Sequence, residues 1–287
     1  MANTPIMKRI CVFMSEILCK LFESINIEYY ALLPYSSLKV TREDIMARED
    51  FTPKSVIVYL LPYYTGDTVN ISRYAASLDY HIAIREVSAA IEKCLKEHFP
   101  AAKCKGYGDH SPIDERHAAL VGGLGFLGKN GLLINEKYGS YIFIGDVITD
   151  IEPSLLGQTP LSEIKYCTAC GACLDACPTG VLRGECCECL SAITQRKGEL
   201  SDEEISLMRK YNTAWGCDEC QSACPHNMAP KKTPIEFFYR ERISFLTKAA
   251  LDGMTKDEFS RRAYAWRGRK TVERNLEILE EKPENVN

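Results

Sequence analysis

The sequence predicts an α+β protein, with an α/β N-terminal domain, a cysteine-rich module after it and helices at the C-terminal end. Three observations predict it. Helical and strand patterns alternate through the first 150 residues. Ten of the 14 cysteines lie between Cys167 and Cys224. Downstream of the first cysteine run, Ser201-Asp-Glu-Glu204 and Thr255-Lys-Asp-Glu258 both fit the capping box that opens a helix.

The N-terminal elements follow from their apolar periods. Ile10, Met14, Ile17, Leu18 and Leu21 recur at helical spacing around Glu16 and Lys20. This is an amphipathic helix and not a signal peptide, since no small-residue cleavage site follows it. Ile27–Leu33, Ser55–Leu61 and Tyr141–Thr149 are rich in Ile, Val, Tyr and Leu and are predicted as buried strands. Between them, Ile84, Val87, Ile91 and Leu95 mark a helix over His81–His98.

With 46% hydrophobic and 26% charged residues, the composition is that of an ordinary soluble globular protein. No apolar run approaches the roughly 20 residues that span a bilayer, so a cytoplasmic protein without a membrane partner is expected. The net charge of −4 argues against indiscriminate nucleic-acid binding. Its distribution is uneven, however, because Lys231–Arg274 carries 12 Lys/Arg against 6 Asp/Glu.

A loop with Pro153, Gly157 and Pro160 leads into the module, which sets segments of 1–155, 156–232 and 233–287. In a reducing cytosol clustered cysteines bind metal more often than they form disulfides. The scattered Cys11, Cys19, Cys94 and Cys104 are expected to be plain buried thiols. Cys167-x2-Cys170-x2-Cys173-x3-Cys177-Pro178 has the spacing of a bacterial ferredoxin run. There the first three thiolates wrap one [4Fe-4S] cluster, and the fourth crosses to the other cluster.

A second run, Cys217-x2-Cys220-x3-Cys224-Pro225, has Ala214 where a leading cysteine would stand. Cys224 then completes the set of Cys167, Cys170 and Cys173. Cys217, Cys220 and Cys177 lack one ligand, for which Cys186, Cys187 and Cys189 are the nearby candidates. Spacing does not choose among them. Two CxxC pairs can also hold structural zinc, but the Cys-Pro endings and the x2-x2-x3 spacing count against it.

Three further motifs bear on function. Gly123-Leu-Gly125-Phe-Leu-Gly128 matches GxGxxG, yet a helix at Asp114–Leu120 precedes it and a strand at Leu132–Ile134 follows. That reverses the context of a dinucleotide site, so the loop is expected to allow close backbone approach for packing or for a flat ligand. Asp79-Tyr-His81 opens like the Asp-x-His-x-x-Gly motif of some corrinoid enzymes. Ile84 replaces its glycine, so His81 is not expected to be an axial ligand. In Gly106-Tyr-Gly-Asp109-His-Ser-Pro112, Asp109 ends a short strand in a glycine-rich turn before a helix. Such a side chain can project into a cleft as a general acid, or simply cap the turn.

Taken together, ISRYAASLDYH (71–81), DHSPIDERHAALVGGLGFLGKNGLLI (109–134) and EKYGSYIFIGDVITD (136–150) resemble the epoxyqueuosine reductase family. The resemblance continues through CLSAITQRKGEL (189–200) and WGCDECQSACPHN (215–227), and covers about residues 5–280. The family's enzymes are cobalamin-dependent iron–sulfur reductases of tRNA queuosine synthesis. The resemblance therefore implies an N-terminal corrinoid-binding domain, two [4Fe-4S] clusters and a base-off cobalamin. It implies that Cys189 is the missing cluster ligand, that Asp109 is the proton donor, and that Ser191, Cys220 and Gln221 line the corrin.

It also implies a tRNA substrate carrying epoxyqueuosine, an external low-potential electron donor and a monomer. Longer family members add a helical-repeat extension, whereas this chain ends about sixty residues after Pro225. In its place, the basic stretch Arg261–Arg274 could meet phosphates, with Tyr264 and Trp266 available to stack. Two rival readings are a corrinoid iron–sulfur reductase of another small substrate and a dicluster electron-transfer protein without tRNA activity.

Overall fold

The computed structural model describes residues 5–280, with side chains from residue 14 onward. The side chains of Ile10 and Cys11 lie outside the described residues. Contacts divide the chain into two compact units, Met1–Pro62 with His81–Thr168 and Tyr63–Tyr80 with Ala169–Asn287. This division by contact assigns residues 63–80 to the second unit, which no composition shift in the sequence marks.

In chain order the first unit holds α1 (Pro5–Ser24), β1 (Tyr30–Pro34), α2 (Glu43–Met46), β2 (Ser55–Pro62), α3 (Tyr80–His98) and β3 (Cys104–Tyr107). There follow α4 (Glu115–Val121), β4 (Phe126–Leu127), β5 (Leu133–Ile134), β6 (Ile142–Thr149) and α5 (Pro153–Leu156). Four strands form one sheet in the order β1-β2-β6-β3, antiparallel at each pairing. The α+β class expected from the sequence is the one observed.

Strand β2 reads SVIVYLLP, apolar without alternation, which is the pattern of a strand covered on both faces. All of it is buried. Val56, Val58 and Leu60 face Ala118, Ala119 and Leu120 of α4 in one core. On the other face the Tyr59 hydroxyl donates to Ile84 O at 3.3 Å and meets Ser88 Oγ at 3.1 Å, both on α3. Gly145 stands opposite Tyr59 in the register, where any Cβ would lie 2.5 Å from the tyrosine ring. The strand expected from Ile27 begins only at Tyr30. Asn26 takes a left-handed φ of 58°, and Ile27 N–H bonds back to Phe22 O at 2.9 Å to finish α1.

The second unit holds α6 (Ala172–Asp175), α7 (Leu190–Gln195), α8 (Asp202–Lys210), α9 (Glu219–Ser222), α10 (Lys248–Asp252), α11 (Lys256–Ser260) and α12 (Arg269–Glu280). Both expected capping boxes are present, at Ser201/Glu204 and Thr255/Glu258. Residues 63–80 are held by long-range bonds. Ser72 N donates to Trp215 O at 2.7 Å, Ile243 N to Ala76 O at 2.7 Å, and the Asn70 amide bonds Leu246 through both its atoms. Ile71 and Ala75 then join Trp215, Leu246, Tyr264 and Val272 in the core of this unit. Among the described residues, no helix is long and apolar enough to cross a membrane.

Candidate active site and cluster cysteines

Asp109 lines a cavity of about 510 Å3 in the first unit, together with Arg42, Ser111, Glu115, Arg116 and Phe143. The glycines before it explain how the chain reaches that position. A Cβ at Gly106 would meet Ser88 Oγ at 2.2 Å, and one at Gly108 would meet Ile84 Cδ1 at 2.4 Å. Only glycine lets β3 and its turn lie this close to α3. Asp109 itself has φ 63°, a left-handed conformation that Asp tolerates better than most residues. Its side chain is 54% exposed, and its Oδ2 lies 3.7 Å from His81 Nε2. Beyond the turn, Asp114 N donates to Lys39 O at 2.8 Å and the Asp114 carboxylate caps α4 by accepting from His117 N at 3.1 Å.

Behind Asp109 the sequence reading missed two acids. Asp146 of β6 is wholly buried; its Oδ1 accepts from Ser111 Oγ at 3.2 Å and its Oδ2 has no partner. Glu115 Oε1 is likewise shielded from solvent without a partner. Burial pushes Glu115 up to about 9, helped by the charges of Asp146 and Asp109. Burial also pushes Asp146 up to about 7, against the Ser111 hydrogen bond.

Both groups bind protons more tightly in the folded chain than in the unfolded one. Their contribution to stability is complete below the ordinary carboxylate range and is lost as pH rises through about 7 and then about 9. Glu115→Gln should therefore flatten the fall of Tm between pH 5 and 9 and raise Tm at the alkaline end. The gain is about 2–4 °C for each kcal/mol recovered. A thermal melt series on both proteins checks it, and parallel curves would remove Glu115 as the titrating group.

The GxGxxG loop packs against its own hairpin. A Cβ at Gly125 would lie 2.4 Å from Ile134 O, and Phe126 and Leu127 pair antiparallel with Ile134 and Leu133. Of the two readings left open, close backbone packing is the one observed.

Among the cysteines, Cys167 belongs to the first unit, where Lys129 N donates to its Sγ at 3.3 Å. The other cluster cysteines belong to the second. Cys173 on α6 and Cys224 after α9 are buried, Cys177, Cys217 and Cys220 are half-buried, and Cys170 and Cys189 are exposed. Burial alone would raise the Cys177 thiol, but main-chain N–H groups of Leu182, Thr179 and Gly180 outweigh it and hold the thiol below its usual range. A nest of this kind favours a thiolate ligand. Burial pushes Cys217 up to about 12, and its neighbours Cys189 and Cys220 act in the same direction. Cys189, at the N-terminal edge of α7, is near enough for its charge to act on Cys217. Among the described residues, no three His, Cys, Asp or Glu side chains are gathered as a single metal ion requires.

Ser191 lines a second cavity, of about 430 Å3, with Cys189, Gln195, Lys197 and Arg267. The Arg267 Nε in its wall is buried without a partner. Gln221 is buried within its own unit, with Nε2 donating to Asp218 Oδ1 at 3.2 Å and Oε1 accepting from the Tyr63 hydroxyl at 3.4 Å.

The basic stretch is mostly occupied. Tyr264, expected to stack on a ligand, is instead fully buried against Trp215 and Phe259. Arg269 donates to the carbonyls of Leu251 and Met254, Arg274 to those around Gly198 and Asn275, and Arg261 pairs with Glu241. Trp266 is 60% exposed, with the Arg267 guanidinium 3.8 Å from its ring centre, and Lys270 is exposed. Those three remain as an outward surface.

Fold and site together define an iron–sulfur oxidoreductase with two ferredoxin-type cysteine runs on an α+β scaffold. The family of 4Fe-4S double cluster binding domains matches residues 166–227. An epoxyqueuosine reductase of Cyclobacterium marinum is 31% identical over 87% of this chain and 82% of its own length. One from Listeria monocytogenes is 34% identical over 72% of this chain, and the match spans 56% of that longer protein. In fold, the chain is similar to a crystal structure of epoxyqueuosine reductase with an epoxyqueuosine-modified tRNA stem loop. That likeness has a TM-score of 0.73 at 22% identity, over 94% of this chain and 81% of that one. The chain belongs to the epoxyqueuosine reductase family.

Proposed function

We propose that this chain reduces epoxyqueuosine in tRNA to queuosine in the cytoplasm, with electrons from an external low-potential donor passing through two [4Fe-4S] clusters to a bound base-off cobalamin. The observation that carries the reading is Asp109, set on a left-handed turn that lines the cavity, with its Oδ2 3.7 Å from His81 Nε2. Family membership supplies the reaction, and the tRNA stem loop bound by the similar solved structure supports the substrate class.

The residues present fit both cofactors. Thiols already paired with main-chain donors, at Cys167 and Cys177, suit clusters held by Cys167, Cys170, Cys173 and Cys224 and by Cys177, Cys189, Cys217 and Cys220. The orphaned Arg267 Nε and the Ser191 hydroxyl suit the amide- and phosphate-bearing rim of a corrinoid. Ser191, Cys220 and Gln221 would hold it. His81 is engaged with Asp109, which fits a cobalamin without a histidine ligand. When bound, these groups supply single electrons at low potential. The chain's own residues orient the base, exclude water and deliver a proton from Asp109 to the oxygen released as the epoxide opens. Residues 1–155, 156–232 and 233–287 serve as the reductase, cluster and closing segments.

The experiment is turnover of tRNA carrying epoxyqueuosine by the anaerobically reconstituted protein, read as queuosine in a nucleoside digest. Cobalamin retained without tRNA reduction would point to another substrate. Failure to retain cobalamin would leave an electron carrier.

The outward surface should contribute to tRNA affinity. Lys270→Ala should weaken binding and reduce the log–log salt slope by about one, the value of one phosphate contact. Arg269 is kept intact, because its bonds to Leu251 and Met254 are structural. An unchanged slope would make this surface a solvated face.

A further inference from the structure

Asn275 lies in the middle of α12 and is wholly buried. An amide in that place costs stability unless its polar atoms find partners. Its Nδ2 donates to Thr194 O and to Ala214 O, each at 2.7 Å, across 81 and 61 positions of sequence. Its Oδ1 accepts from Arg274 Nη2 at 2.7 Å, which fixes the orientation of the amide. Thr194 is in the last turn of α7, where carbonyls have no partner within the helix.

Thr194 is buried as completely as Asn275. Its hydroxyl donates to Ser191 O at 2.8 Å and accepts from Gly216 N at 2.9 Å. Two side chains therefore bind α7 to residues 214–216, which lead directly into Cys217. Packing repeats the connection, because Leu190 and Ile193 of α7 form a buried cluster with Met208 and Ile278, and Cys217 packs against it. The far side of the loop is walled by Ser72, whose Cβ would lie 2.5 Å from a Cβ at Gly216. Cys189 is tied to the same helix as its N-cap, with Ile193 N donating to Cys189 O at 3.0 Å.

We infer that Thr194 and Asn275 are positioning residues for the cluster of the incomplete set. They clamp the helix that Cys189 opens to the loop that leads into Cys217, so the two thiolates meet iron at a fixed separation. The inference rests on the reading of Cys189 as the fourth ligand. Cys217 and Cys220 share one short loop that sets their spacing, as ferredoxin runs do. Cys189 comes from a separate helix without such a tether, and the clamp supplies it. Outer hydrogen bonds that orient metal ligands are typically worth about 10–100-fold in affinity.

The test is release of ferrous iron to ferrozine from the anaerobically reconstituted full chain, followed as two sets of about four irons. Thr194→Val keeps the shape and removes the hydroxyl. One set should then leave about tenfold faster, while the other keeps its wild-type rate. Thr194→Ser restores the hydroxyl and should restore slow release. Asn275→Asp keeps an oxygen for Arg274, loses the Nδ2 donors, and should act as Thr194→Val does. In Cys189→Ala, which should hold only the other set, adding Thr194→Val should change nothing further. Both sets quickening equally, or Thr194→Ser releasing as fast as Thr194→Val, would reduce the pair to general packing and overturn the clamp. Wild-type rates for both sets in Thr194→Val, with Cys189→Ala still short of iron, would overturn it too. A full complement of iron in Cys189→Ala would instead sink the ligand reading beneath it, so the two fail separately.

Discussion

Cys189→Ala should lower the iron content of the reconstituted protein from about eight to about four atoms per chain, with sulfide falling in parallel. The substitution is mild for the fold. Cys189 occupies extended backbone (φ −79°, ψ 148°) ahead of α7, makes no side-chain cap, and is exposed. Its charge acts on Cys217, which supports the proposal that Cys189 is the fourth thiolate of the incomplete set. A cluster with three thiolates is labile, and loss of one of two clusters should break electron delivery and abolish turnover. Cys186→Ala and Cys187→Ala, on neighbouring exposed residues, should keep all the iron. Full iron in Cys189→Ala together with loss in Cys187→Ala would transfer the ligand role to Cys187.

Local chemistry is what the sequence exposes most clearly. Both capping boxes, the helix near 81–98 and the strands near 55–61 and 141–149 are written in short-range patterns of period, cap and glycine, and each forms. The cluster cysteines are legible for the same reason, since a tight loop around a cubane fixes its own spacing.

What stayed hidden depends on distant partners. No composition shift marks segment 63–80, yet Asn70 closes bonds across 176 positions to Leu246, and Ser72 and Arg73 bind Asp218 from 146 and 145 positions away. Tyr264 looks like a stacking platform in a basic run until Trp215 and Phe259 enclose it. Glu115 sits in the first turn of a helix, where an acidic residue ordinarily complements the dipole in water. Only the fold brings Asp146 of β6 near it and shields its Oε1 from solvent. An aspartate inside the apolar strand IFIGDVIT was the available signal, because a lone charge on a covered strand demands a reason.

The last prediction concerns Asp109. Asp109→Asn should leave clusters and cobalamin bound while turnover falls by roughly 10²–10⁴-fold, the range for a lost general acid. Asparagine is the right probe because, like aspartate, it tolerates the left-handed region, so the φ of 63° is kept. Its amide can still face His81 Nε2 at the 3.7 Å where the carboxylate now lies. Shape, turn and neighbours survive, and only the transferable proton is gone. Asp114→Asn supplies the control. That residue accepts from His117 N at 3.1 Å as the cap of α4, a task asparagine performs as well, so stability and turnover should hold. A direct measurement is single-turnover reduction with saturating tRNA, which separates the proton-dependent step from substrate binding. The loss should appear in that rate and not in tRNA affinity. Wild-type turnover by Asp109→Asn with both cofactors loaded would move the proton source elsewhere, and His81, 3.7 Å away, would be the residue to test next.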